Sequence, residues 1–171
     1  MRMNKLLQAM ILVAVAATTT AASAATTLSK GDQAIIAGMA QANMAEVAAG
    51  KMALEKSQNA EVKKFAQMMI DDHSKALDSV TEVAKAKEVT LPTDVDAPHK
   101  AMAMRLSKLS GDAFDKAYMK EAGVADHTKV HAKLKKDETA AKDADVKALA
   151  AKMLPTVEGH LQMAKAAPVT K

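Results

Sequence analysis

The 171 residues include no cysteine and no tryptophan, one tyrosine and two phenylalanines. Without cysteine there is no disulfide framework, no thiolate metal ligand and no lipid-modified N-terminal cysteine. Without a supply of aromatic rings there is no stacking platform for single-stranded nucleic acid. The charge points the same way: the formal net charge is +4, and the basic residues are interspersed with acidic ones rather than gathered in a stripe. Nucleic-acid binding is therefore set aside. No stretch shows sustained strand alternation with β-branched residues. No nucleophile elbow, phosphate loop or carboxylate dyad at a known spacing is recognisable, which weighs against an enzyme without ruling one out.

Long hydrophobic runs are also missing, with one exception. "MRMNKLLQAMILVAVAATTTAASA" carries Arg2 and Lys5, then an apolar run from Leu6 to about Ala17, then Ala22-Ser23-Ala24. A basic start, a short apolar middle and a small-x-small end are the parts of a secretory signal, and the run is too short to span a bilayer. Residues 1–24 are expected to be a cleaved leader and 25–171 a single domain, periplasmic or secreted, with no stable membrane insertion after cleavage. Losing Arg2 and Lys5 leaves 22 basic against 20 acidic residues, a net of +2.

What the chain does have is Ala, Lys, Glu, Met and Leu, all strong helix formers. Helices are predicted from about Lys30 to Glu55, from Ala60 to about Glu88 with Asn59 as N-cap, from Pro98 through Leu109, from an Asp112 cap to about Ala140, and from Ala144 to about Ala166 with Asp143 as cap. Pro155 predicts a kink in the last of these. Two long antiparallel pairs joined by "VTLPTDVDAP" and a short helix describe an all-α, antiparallel four-helix bundle with a crossover. A weak repeat relates "NAEVKKFAQMMIDDH" (59–73) to "DADVKALAAKMLPTVEGH" (143–160).

The polar residues of the helical faces stand out against this background. At about 100° per residue, His73 shares its azimuth with Val62, Ala66, Met69, Leu77 and Val80. His160 falls with Val146, Leu149, Met153 and Ala164, and Glu46 interrupts the apolar stripe of Ile35, Met39, Ala42, Gly50 and Ala53. On the fourth long helix either His127 or His131 points inward, since they are four apart on neighbouring turns. Depth agrees: Glu46 lies twelve residues before the turn near Gln58 and His73 fifteen after it, while His127 lies fifteen before the turn near Lys142 and His160 eighteen after it. One polar residue from each long helix at one level is the geometry of a bundle-core metal site. Glu46, His73, His127 and His160 are the candidate ligands, with His131 as the alternative. Nitrogen and oxygen donors suit zinc, copper, iron or nickel.

The repeated "DDHSK" (71–75) and "ADHTK" (125–129) place Asp72 and Asp126 about 100° from each histidine. There they would act as outer acceptors that orient an imidazole. The plainer alternative for the whole set is a hydrogen-bonded network that specifies how the helices pair. The methionines on the stripes, Met39, Met69 and Met153, read as core filler, and His99 as an ordinary surface residue.

"GMAQANMAEVAAGKMALEKSQNAEVKKFAQMMIDDHSKA" (38–76), "LSKLSGDAFDKAYM" (106–119), "ADHTKVHAKL" (125–134) and "VKALAAKMLPTVEGHLQMAK" (146–165) resemble an exported bacterial family classed as a domain of unknown function. The resemblance implies a ferritin-like bundle and an exported location, and it brings no established activity. The di-iron pattern of ferritins needs Glu-x-x-His on two helices. Here Ile70, Val124 and Val157 stand three before the histidines, so a ferroxidase is disfavoured and a mononuclear site is expected.

Overall fold

In the computed structural model, residues 27–168 are described, and among them the structure is helical with no strand. Helix α1 (Lys30–Lys56) starts where the Ser29 hydroxyl accepts from the Asp32 backbone N–H. Helix α2 (Ala60–Ala86) starts where the Asn59 side chain accepts from the N–H groups of Glu61 and Val62. These bonds satisfy amides that a helix start otherwise leaves unpaired. The short α3 (Ala97–Ser107) is capped by Asp96, with Pro98 in its first turn. Then follow α4 (Gly111–Tyr118), a π-helical segment (Met119–Asp126), α5 (His127–Ala140) and α6 (Ala144–Ala166), the last capped by Asp143. The expected leader lies outside the described residues.

Two expectations need correction. The fourth long helix is not one α-helix from an Asp112 cap to Ala140, because eight residues in its middle are π-helical. Its N-cap is Ser110, whose side chain makes no capping bond, and Asp112 sits in the first turn. There its charge still favours the positive end of the helix dipole. Helix α2 stops at Ala86 rather than Glu88, since Glu88 adopts φ 56° and Val89 N–H turns back to the Ala84 carbonyl at 2.8 Å. This left-handed closure satisfies the last carbonyls of the helix. Pro155 lies inside helix α6, as its position in the sequence implied.

Helix α1 packs along α2 and α5 along α6; α6 also meets α2 and the π-helical segment, and α1 meets α4. The four rods are thus α1, α2, the α4–π–α5 unit and α6, with α3 in the crossover between hairpins. Close approach of α1 to α2 depends on Gly50, where a Cβ would stand 2.9 Å from both the Ala66 carbonyl oxygen and Ile70 Cγ1.

The apolar interior forms two clusters. One gathers Ile35, Ile36, Met39, Val80, Leu134, Val146, Leu149, Met153 and Val157 with their neighbours. The other gathers Val62, Phe65, Met69, Leu106, Phe114, Tyr118, Met119 and Ala164 with theirs. Burying one such large side chain stabilises the fold by about 1.5–3 kcal/mol. Asn43, Glu46, His73, His127 and His160 are buried but belong to neither cluster. A polar layer at mid-height divides the core.

Candidate metal centre

Each long rod contributes to that layer. His73 is 4% exposed, His127 1%, His160 2% and Glu46 2%. The imidazole centroids form a nearly equilateral triangle: 5.5 Å from His73 to His127, 5.3 Å from His73 to His160 and 5.4 Å from His127 to His160. One ring nitrogen of each lies within 4.8 Å of one on the others.

The hydrogen bonds decide which nitrogen is available. His73 Nδ1 stands 2.8 Å from Asn43 Oδ1, an oxygen that only accepts, while the Asn43 amide donates to the Met39 carbonyl at 2.8 Å. His73 therefore carries its proton on Nδ1. His127 Nδ1 donates to the Ala122 carbonyl at 2.9 Å. His160 Nε2 donates to Asp72 Oδ2 at 3.1 Å. The remaining nitrogens are His73 Nε2, His127 Nε2 and His160 Nδ1, and these three are the buried imidazole atoms without a hydrogen-bond partner. Buried polar atoms are normally satisfied. Three lone pairs left over on three convergent rings, each ring held from behind by an acceptor, are what a nitrogen-ligated ion requires. The buried group His73, His127 and His160 is able to hold a metal.

Electrostatics favour the same state. Burial pushes all three imidazoles below their usual value; neighbouring rings add to this for His73, which falls to about 3, and for His127, while the bond to Asp72 partly offsets it for His160. At neutral pH the rings are uncharged, as ligands must be. Glu46 stands beside this trio rather than within it. Its Oε1 is 3.6 Å from His127 Nδ1, and its carboxyl also faces that of Asp126, to which it donates when protonated. Burial, then the charge of Asp126, raises the Glu46 carboxyl well above its ordinary value.

The structure separates the two aspartates that the repeated motif pairs. Asp72 does orient a core imidazole, but that of His160 across the α2–α6 contact rather than that of the adjacent His73. Asp126 binds none of the three; its Oδ2 accepts from His99 Nε2 at 3.3 Å, and His99 Nδ1 reaches Asp96 at 2.5 Å. The bond to Asp126 raises the His99 imidazole, and His99 in return holds Asp126 below its usual value although burial alone would raise it. His99 is thus a tie between α3 and the π-helical segment, not an ordinary surface residue. His131 is half-buried and lies outside the trio, so His127 is the inward histidine of its helix. Sequence reasoning missed Asn43 and the Ala122 carbonyl. Asn43 sits one turn before Glu46 at the edge of the α1 stripe, a polar residue that could have been noticed. The Ala122 carbonyl carries no sequence signal, because a backbone group five residues back reaches an imidazole only where the helix is widened.

Comparison with curated proteins gives no match. Among solved structures, the chain is similar to a DUF305 fragment from Deinococcus radiodurans at 14% identity, covering 82% of this chain and 96% of that one, with a TM-score of 0.72. It is also similar to CopM in the Cu(II)-bound form at 18% identity, covering 78% of this chain and 93% of that one, with a TM-score of 0.65. At these identities the likeness is one of fold, and it agrees with a four-helix bundle. Residues 17–167 match the family described as Domain of unknown function (DUF4142), and the chain belongs to that family.

Proposed function

We propose that this protein binds one divalent metal ion in the bundle core, through His73 Nε2, His127 Nε2 and His160 Nδ1, for sequestration or envelope stress tolerance rather than turnover. The observation that carries the reading is the set of three partnerless, neutral imidazole nitrogens whose opposite nitrogens are all occupied. Glu46 supplies the balancing negative charge and gives up its carboxyl proton when the site fills. When bound, the ion supplies the positive charge that makes a buried, ionised Glu46 favourable. The donor set suits copper, zinc, iron or nickel. The Cu(II)-bound form of the structurally similar CopM supports trying copper first. An exported location accords with the charged, apolar and small-residue order of the first 24 residues.

The test is stoichiometry. Untagged protein, stripped and then reconstituted separately with each ion, should retain close to one equivalent by elemental mass spectrometry. His73→Ala, His127→Ala and His160→Ala should each lose it, while Glu46→Gln should keep the stoichiometry with weaker affinity. Retention well below one equivalent for every ion would overturn the reading in favour of a network that only specifies helix pairing.

A further inference from the structure

A cleft of about 290 Å³ opens between α2 and α6, lined among others by Asp72, His73, Ser79, Lys152, Met153 and Thr156. A second, far smaller space of about 10 Å³ lies inside the bundle, lined by Ala42, Asn43, Glu46, His73, His127, Val130 and Met153. Asn43, His73 and Met153 line both. These three side chains are therefore the wall between the surface and the centre.

The wall is not uniform. Asn43 is held by two hydrogen bonds, and one of them holds His73 in turn. Met153 is an unbranched thioether with three rotatable bonds and no such tie, the most adaptable of apolar side chains. The inner space is also lined by Ala42, which has no side-chain torsion to change, and Val130, whose branching at Cβ stiffens it. Of the three side chains in the wall, Met153 is the one that can swing without breaking a hydrogen bond.

We infer that the α2–α6 cleft is the entry route to the histidine centre and that Met153 is its door; the inference rests on the metal-binding reading above. The cleft lining offers a cation oxygen and nitrogen donors: the hydroxyls of Thr156 and Ser79, the Asp72 carboxylate and the His73 ring, which also lines the inner space. Two lysines temper it. Lys75 lies 3.6 Å from Asp72, and Lys152 donates to Ser79 Oγ at 3.3 Å. Their charge slows a free cation and sets the rate at which the centre fills, since charge at a cleft mouth acts on association rates.

Stopped-flow uptake of Cu(II) or Zn(II) by the stripped protein, paired with equilibrium stoichiometry, tests the route. Thr156→Trp plugs the mouth at an exposed position where folding should be unaffected. It should slow uptake and release together by about tenfold with stoichiometry unchanged. Met153→Ile, of similar bulk but stiff at χ1, should do the same. Lys75→Ala combined with Lys152→Ala should speed uptake. Unchanged rates in Thr156→Trp at normal stoichiometry overturn the route and leave the metal reading standing. Slowing by Ala42→Leu instead would place the entrance between α1 and α5 and also overturn it. Wild-type protein that takes up none of copper, zinc, iron and nickel overturns both.

Discussion

At the scale of single residues, the two copies of the Asp-His-hydroxyl-Lys motif are not equivalent. Asp72 holds His160 by its ring N–H, so Asp72→Asn should weaken metal affinity by about 10–100-fold. Asp126 holds His99 instead and reaches the centre only through the Glu46 carboxyl, so Asp126→Asn should change affinity less and act mainly on the anchoring of α3. Isothermal titration of both variants checks this, and equal losses would contradict the assignment. Protonation gives a second expectation, for the metal-free protein. His73 falls from 6.5 when unfolded to about 3 when folded, and His127 and His160 shift the same way. The unfolded chain then binds more protons below pH 6.5, so stability present at neutral pH is lost on acidification toward pH 3. The slope is at most about 1.4 kcal/mol per pH unit for each imidazole. Glu46 shifts oppositely, from 4.5 upward, so it loses stability as pH rises through that range. Denaturant titrations from pH 4 to 9 should show wild-type stability falling on the acid side. In Glu46→Gln the acid-side slope should steepen, and the loss that Glu46 causes on the alkaline side should vanish.

At the scale of elements, the π-helical segment matters most. It presents the Ala122 carbonyl to the ring of His127, and it rests against α6 at Gly123, where a Cβ would stand 3.0 Å from Ala164 Cβ. Gly123→Ala should push the segment off α6 and carry His127 with it, lowering both stability and metal affinity. Gly50→Ala meets the Ala66 carbonyl and Ile70 at 2.9 Å on the α1–α2 contact. It should cost about 1–3 kcal/mol of stability and, by spreading Asn43 and Glu46 from His73, also reduce affinity. Thermal melts with and without metal separate the two parts. Most of the elements were legible beforehand: the caps at Asn59 and Asp143 are real, and so is Pro98 in the first turn of α3. The π-helical widening was not, because nothing in "MKEAGVAD" distinguishes it from an α-helix. It follows from how the segment seats against α6.

At the scale of the whole molecule, the polar layer divides the apolar core, and the partnerless atoms within it are a liability that a bound ion would remove. An ion that binds the folded state alone stabilises it by mass action, about 2.7 kcal/mol at one hundred times the dissociation constant. The melting temperature of wild-type protein should therefore rise with metal. That of His73→Ala should not, whichever way the substitution moves the metal-free value. Equal metal-induced shifts in both would mean binding elsewhere.

By itself the sequence determined the helical class, the pairing of helices into two hairpins and the level at which Glu46, His73, His127 and His160 meet. Those follow from helix propensity, capping residues, a 100° turn per residue and distances from the turns, which are all local quantities. The tertiary structure alone decided that His127 rather than His131 turns inward. It also decided that Asp72 serves the histidine of another helix and that Asp126 ties down the crossover through His99. Each of these depends on which surfaces of α2, α3, α6 and the π-helical segment touch, and a contact between residues 88 apart in the chain leaves no mark on the sequence near either one.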